Sequence, residues 1–420
     1  MKKIVISSIA LFACTSMLYA SGYRIPEQSF ASTAKSGANI AVTNGADAAY
    51  YNPANMAFLS DKSHMEFALT YINLPKIKYI DAQNPMLNSK SKVEHFLAPT
   101  FHYASPEVFE NTRFGVAFVA PGGLAKRWDD FYAKATAEEF SLKILELNPS
   151  VSYQLSDNFA LGLGARMTYI DGTVKSHLVR PINGQNMIFS RELTGDSIDF
   201  GYNLALTYKP IENLTISSTY RSKVDLTVKG DATLKGGLLQ KPSVYDGGAG
   251  ITIPLPASFD LALAYDFGKT KVELVYERTF WSSYKALDFF YDQDLTKNPL
   301  LAAFDNPKPR DWEDVNAYRI GITHSLTDKL DILAGFAYDE TPATHDEYLG
   351  FELPDSDAML YSLGASYDIN NDMSIAFSYL YDKKKKRVIS NRTKQDPSAI
   401  NGTFKDASAH LVNMSLEYRF

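Results

Sequence analysis

The sequence predicts an all-β fold: a 14-stranded antiparallel barrel that crosses a membrane. Three observations carry this expectation. After Ala20 no stretch approaches the roughly 18 consecutive apolar residues of a membrane-spanning helix. From Asp61 onward, apolar residues alternate with polar or small ones at a period of two. The connections between alternating segments are short and long by turns, as in a barrel with tight turns at one rim and loops at the other. Composition agrees: 45% of residues are hydrophobic, only 21% are charged, and 26 Tyr, 25 Phe and 3 Trp bring the aromatic content to 13%.

The first element is a leader. Lys2 and Lys3 precede an apolar run from Ile4 to Phe12, and Leu18-Tyr19-Ala20 ends in a small residue suited to cleavage, so 1–20 is expected to be a signal peptide. Cys14 is the single cysteine, and bulky Phe12 disfavours lipoprotein processing there. Cleavage removes two lysines and no acid, so 42 basic residues become 40 against 48 acidic ones and the net charge moves from −6 to −8. That balance discourages nucleic-acid binding. Loss of the cysteine leaves no disulfide, thiolate nucleophile or cysteine-bound metal in the mature chain.

The body follows as strands near 63–80, 91–104, 112–122, 142–155, 158–178, 194–209, 212–230, 250–267, 270–287, 313–327, 329–342, 357–369, 372–389 and 405–420. Their two faces differ in kind. In the last segment Val412, Met414, Leu416, Tyr418 and Phe420 oppose Leu411, Asn413, Ser415, Glu417 and Arg419. Phe200, Tyr202, Leu204, Leu206 and Tyr208 likewise oppose Asp199, Gly201, Asn203, Ala205 and Thr207. The second face is too polar and too small to fill a sandwich core, whereas a barrel lumen accepts it. Tight joints such as Gly268-Lys269 and Asn370-Asn371 alternate with long connections near 123–141, 179–193, 231–249, 288–312, 343–356 and 390–404. Tyr71, Tyr103, Tyr153, Tyr169, Tyr265 and Tyr276 stand near segment ends, where interfacial girdles form.

Residues 21–60 break the alternation and are rich in Ala, Ser, Gly and Asn, a composition that suits either a linker or a segment packed inside a barrel. Ala48-Ala49-Tyr50-Tyr51-Asn52-Pro53-Ala54 resembles the element that ends the N-terminal hatch in the FadL/TodX family of outer-membrane transporters for long-chain fatty acids and hydrocarbons. Ser36-Gly37-Ala38, Tyr220-Arg221-Ser222-Lys223-Val224, Leu255-Pro256, Trp281-Ser282, Ala317-Tyr318-Arg319-Ile320 and Pro354-Asp355 extend the resemblance in order along the chain. The resemblance implies residues 21–60 as a luminal hatch (motif Asn52, Pro53, Ala54), 61–420 as the barrel, and uptake of hydrophobic compounds by reversible binding and hatch movement. It also implies a kinked third strand that opens the wall sideways. Pro121-Gly122-Gly123-Leu124 is the matching site, because proline cannot donate a ladder hydrogen bond and glycine permits a bend.

Two further features bear on ligand. Within 125–145, Trp128, Phe131, Tyr132, Ala135 and Phe140 recur at helical spacing, and with Leu238 and Leu239 of the 231–249 connection they are candidate walls of an external hydrophobic groove. Alternation aims Arg166, Arg221, Lys223 and Arg319 into the lumen, where they could meet a carboxylate or simply pair with luminal acids. Asp171 and Glu313-Asp314 fall near the carboxylate-binding basic residues of the fatty-acid transporter, a departure that leaves neutral hydrocarbons open as cargo.

No Gly-x-Ser-x-Gly or His-Glu-x-x-His motif occurs, and the seven histidines are scattered without ligand spacing, so no catalytic residue, metal or cofactor is expected. A lipase-like barrel enzyme, a diffusion porin and an adhesin are the rival readings. Expected partners are a hydrophobic small molecule, outer-membrane lipid and lipopolysaccharide, and the barrel assembly machinery, whose signal the C-terminal Phe420 resembles. A monomer is expected, with no nucleic acid.

Overall fold

The computed structural model describes residues 22–393 and 399–420, so the expected leader lies outside the described residues. Seventeen strands join in one hydrogen-bonded sheet. Leu214–Arg221 with Val224–Leu238, and Lys241–Leu255 with Ser258–Asp266, are each one wall strand interrupted, while Phe289–Tyr291 is a short outlying piece, so 17 less 3 gives 14 wall strands. We number them β1 (His64–Leu74), β2 (Glu94–Ala104), β3 (Thr112–Arg127), β4 (Glu139–Ser156), β5 (Phe159–Ile182), β6 (Gln185–Ile211) and β7 (Leu214–Leu238). The rest are β8 (Lys241–Asp266), β9 (Thr270–Thr279), β10 (Val315–Thr327), β11 (Leu330–Asp339), β12 (Ala358–Asp368), β13 (Met373–Lys384) and β14 (Ser408–Arg419). All neighbours are antiparallel, and β1 closes the barrel on β14 from His64↔Arg419 to Asn73↔His410.

The burial pattern inverts that of a water-soluble sandwich. Phe200 is 71% exposed, Leu363 63% and Met414 60%, whereas Asn203, Thr207, Ser378 and Asn413 are buried. An apolar outer face around a polar inner face is stable only where hydrocarbon replaces water outside, and a closed barrel satisfies every strand edge that hydrocarbon would leave unpaired. The chain is a membrane-spanning β-barrel.

Several strands are longer than their alternation announces. The connection expected at 179–193 is the end of a β5–β6 hairpin turning at Asn183-Gly184, both with positive φ (52° and 77°), as a two-residue type I′ turn requires. The one expected at 231–249 is likewise a hairpin, β7 pairing β8 from Val224↔Leu255 to Leu238↔Lys241. These extensions rise beyond the bilayer, so neither face needs a continuous apolar stripe. The helix expected across 125–145 is confined to Phe131–Ala137; Trp128 precedes it and Phe140 lies on β4.

Candidate functional site

Along each wall strand the inner face changes chemistry at one level. On β4 it reads Ser152, Ser150, Asn148 and Glu146, then Ile144 and Leu142; on β5 it reads Arg166 and Thr168, then Ile170 and Val174. On β7, Ser217, Thr219 and Arg221 give way to Val224, Leu226 and Val228. The lumen is therefore polar toward the short-turn rim and apolar toward the loop rim.

Residues 26–58 fill the polar level, and Tyr23 and Ile25 before them reach the apolar one. Six alanines between Ala34 and Ala54, namely Ala34, Ala38, Ala46, Ala48, Ala49 and Ala54, are fully buried, because only small side chains fit between a luminal backbone and the wall. Contacts reach around the ring. Ser150 donates to the Ala49 carbonyl (3.1 Å), Asn52 donates to Thr207 Oγ1 (2.9 Å), and Ser362 donates to the Ala34 carbonyl (2.8 Å). Glu273 on β9 accepts from the Ile40 and Ala41 N–H groups (2.7 and 2.6 Å) and pairs with Lys35 (3.2 Å). Asn52 also caps Ala54 (3.1 Å) and holds the Ile40 carbonyl (2.9 Å), while Pro53 begins a 3-10 turn over Pro53–Phe58. The wall accommodates that turn with Gly162, where a Cβ would stand 2.5 Å from Ala54 N and 2.7 Å from Pro53 Cβ.

The arginines at this level are paired with luminal acids. Arg166 (2.8 Å) and Arg221 both pair with Glu146, and Arg221 stacks over Tyr50 at 4.2 Å. Arg319 pairs with Glu277 (2.8 Å) and Asp339 (3.5 Å) and donates to the Ser36 carbonyl (3.1 Å); Arg24 also pairs with Glu277. Lys223 departs from expectation. The interruption of β7 after Arg221 reverses the alternation, so Val224 turns inward and Lys223 turns out to solvent, paired with Asp225 (2.7 Å). Glu27, also in the luminal segment, is 3% exposed and neither carboxyl oxygen has a hydrogen-bond partner. Burial pushes its carboxyl up to about 7, with Arg319 opposing the shift.

The wall lapses beside this segment. β2 and β3 pair only from Ala104↔Gly115 to Phe101↔Phe118, and contact resumes at the Ser91↔Trp128 bridge. Between those limits 93–100 and 119–126 face each other without a ladder. β3 slips register against β4 between Val119 and Gly122, around Pro121, yet continues to Arg127 instead of ending at 122. Its free edge is satisfied from inside: Ile25 N–H donates to the Pro121 carbonyl (2.9 Å), Gly123 N–H to the Tyr23 carbonyl (2.8 Å), and Ala120 N–H to Gln28 Oε1 (2.7 Å). Leu124 is buried in the apolar level.

Above, Tyr23 meets Trp281 edge-on at 4.8 Å, and Trp312 packs against both Trp281 (4.8 Å) and Tyr284 (4.9 Å). Trp281, Tyr284 and Trp312 come from the β9–β10 connection; of the group only Trp281, in Trp281-Ser282, is marked by the resemblance. A cavity of about 50 Å³ between Arg24, Tyr50, Pro121, Arg221 and Asp260 is room for a few waters and not for an acyl chain. Trp128 is fully buried with its indole N–H on the Phe351 carbonyl (2.9 Å), Tyr132 packs on Phe351, Phe131 is 55% exposed, and Leu238 and Leu239 lie at the β7–β8 hairpin tip.

Residues 11–420 match the family model for outer membrane protein transport proteins (OMPP1/FadL/TodX). The chain belongs to this family. It is 27% identical over 405 residues to a 47 kDa outer membrane protein of Pasteurella multocida, covering 90% of this chain and 89% of that protein. It is 22% identical to a long-chain fatty acid transport protein of Escherichia coli, covering 98% and 97%. Among solved structures it resembles a Pseudomonas aeruginosa FadL homologue (TM-score 0.80, 20% identity, 94% and 99% covered) and the Pseudomonas putida toluene transporter TodX (TM-score 0.71, 18% identity, 96% and 99% covered). As a member of the OMPP1/FadL/TodX family the chain is a transport protein of the outer membrane and not an enzyme.

Proposed function

We propose that the chain takes up long hydrophobic molecules by binding them in the apolar outer lumen and releasing them sideways into the membrane. The observation that carries this reading is the ladder lapse between β2 and β3, whose inner edge is held by the segment that fills the lumen. A polar bore would offer an apolar cargo no favourable environment, whereas burial of a long acyl chain at about 0.8 kcal/mol per CH₂ gains on the order of 10 kcal/mol. Such binding must be weakened for release. Residues 22–60 act as the hatch: Tyr23 and Ile25 line the apolar level and also hold β3, so their displacement spoils the pocket and frees the window together. Fatty acids and neutral hydrocarbons, the cargo named for relatives, share the apolar requirement.

Cysteines at Ala98 and Ala120, joined by a bifunctional cross-linker, test lateral release; Cys14, in the leader, is the only native cysteine. Cross-linked barrels are expected to bind a fluorescent fatty acid but to deliver it poorly, with recovery on cleavage of the linker. Uptake unaffected by complete cross-linking would instead favour passage straight through the hatch.

A further inference from the structure

Five strands carry one in-register row on the lipid-facing surface of the wall, close to the loop rim: Tyr361 (β12), Tyr381 (β13), His410 (β14), Asn73 (β1) and His95 (β2). Its two histidines are pinned by tyrosines. His410 stacks on Tyr381 at 5.0 Å, with Nδ1 2.8 Å from the Tyr379 hydroxyl; His95 stacks on Tyr71 at 6.1 Å, with Nδ1 2.7 Å from that hydroxyl. Asn73 Nδ2 also donates to His95 Nδ1 (3.2 Å), so Nδ1 is the accepting nitrogen and the ring proton of the neutral imidazole sits on Nε2. No protein group among the described residues engages that proton. Two residues nearer the rim on the same face stands Lys383, opposite Ser408, and Lys76 follows three residues after Asn73. Both lysines are exposed and form no ion pair among the described residues. The acids beside the row are engaged elsewhere: Asp406 holds Lys78 (2.7 Å), and Glu94 is buried against Arg127. Farther round the same rim the cation is matched, since Arg278 on β9 pairs with Asp314 (3.6 Å). An interfacial girdle accounts for the tyrosines. It does not account for oriented imidazole donors beside lysines that lack acids.

We infer that this row is a binding site for a phosphorylated glycolipid of the outer leaflet, lipopolysaccharide, whose phosphates meet His410, His95, Lys383 and Lys76. Charge-assisted hydrogen bonds from these groups to phosphate oxygens would use the donors that the protein leaves idle. His410 and His95 stand two strand spacings apart, about 10 Å. A disaccharide with a phosphate at each end covers such a span, and a single phosphodiester does not. Below the row the outer column of β1, Tyr71, Leu69 and Phe67, is 39–51% exposed and apolar, so the acyl chains descend along it. The lipid therefore sits at the β2 side of the window, where 93–100 and 119–126 face each other without a ladder.

Thermophoresis of the purified full-length protein in detergent, with lipid A, dephosphorylated lipid A, phosphatidylglycerol and inorganic phosphate as probes, tests the site. Wild type should bind lipid A at least about tenfold more tightly than each of the other three, the scale of one lost hydrogen bond to a charged group. Lys383→Gln combined with His410→Gln should weaken lipid A by a similar factor, whereas Lys383→Arg should retain it. Arg278→Gln, which removes a rim cation that already has an acid, should leave lipid A binding unchanged. Barrel folding in each variant is checked by the heat-dependent shift in gel mobility, and His95→Gln gives a smaller loss of the same kind if the double variant does not fold. Equal affinity for phosphatidylglycerol would reduce the row to a general anionic contact and overturn the site, as would an equal loss in Arg278→Gln or no loss in the folded double variant. Inorganic phosphate bound as tightly as lipid A would make it a free-anion site and overturn the lipid assignment.

Discussion

Arg24 bridges Gly122 through the backbone, so the luminal segment takes up the ladder position that β2 vacates beside β3. One short stretch therefore closes the wall's inner edge and forms the floor of the apolar level. Sheet edges are costly in hydrocarbon unless protein satisfies them, and the bonds to Pro121, Gly123 and Ala120 do so from inside.

Gly122 is the point at which this arrangement is most easily broken. A Cβ there would lie 2.9 Å from the Tyr23 carbonyl oxygen, a backbone atom, and 3.1 Å from Ile144 Cδ1. Gly122→Val should push the luminal segment off β3 without unfolding the wall, because β3 keeps its pairing with β4 on both sides of the site. Bilayer recordings should show more frequent openings than wild type. Wild-type conductance in a correctly inserted variant would mean that the bridge does not hold the closed form.

Glu27 predicts how closure depends on pH. Its carboxyl is raised from the usual 4.5 to about 7 in the seated segment, chiefly by burial, with Asp339 and Glu277 adding to the shift and Arg319 opposing it. A raised carboxyl binds its proton more tightly when seated than when displaced. Seating is therefore strongest below about pH 4.5 and weakens as pH rises toward about 7, with no further change from this group above that. Openings should be rarer at pH 5 than at pH 8, and Glu27→Gln should flatten the profile at the low-pH level. A profile of the opposite slope, or one unchanged in the variant, would rule Glu27 out as its source.

Glu146 is the counter-ion for both Arg166 and Arg221. Breaking a buried pair from one side leaves uncompensated charge and typically costs about 3–5 kcal/mol. Glu146→Gln, which strands two cations, should lower stability by at least about that amount in urea unfolding from lipid vesicles. A loss below about 1 kcal/mol would mean that hatch backbone and water neutralise the arginines instead.

The wall was legible because lipid imposes a strict rule on one face: Phe200, Leu363 and Met414 must be apolar, so the alternation survives in the sequence. Outside the bilayer that rule lapses, which hid the β5–β6 and β7–β8 hairpin extensions, although Asn183-Gly184 signalled the first turn. Lys223 was misplaced because a strand interruption shifts the period by one, and Ser222-Lys223 contains no proline or glycine to mark it. Pro121-Gly122-Gly123 did carry such a mark. The change from Glu146 to Ile144 on the inner face was readable but becomes meaningful only when neighbouring strands are put in register. The aromatic group of Tyr23, Trp281, Tyr284 and Trp312 joins positions far apart in the chain, and no local pattern announces it.

Removing residues 22–60 while keeping the leader should convert a closed barrel into a steadily conducting one. The argument rests on what the segment leaves behind. Asn148, Ser150, Ser152, Thr207 and Ser217 would line an emptied polar level that hydrates readily, and loss of Tyr23 would take one ring out of the aromatic group above it. The wall itself should persist, since β1 to β14 pair without help from the segment except along the β2–β3 window. There the deletion exposes the edge at Ala120 to Gly123, so the truncated barrel should also be less stable than the intact one. Planar-bilayer recordings should give a long-lived open level in place of brief events, and refolding yields into vesicles should fall. If the truncated barrel stayed as resistive as the intact protein, the loops around Trp281 and Trp312 would be the true seal, and the segment would serve to brace β3.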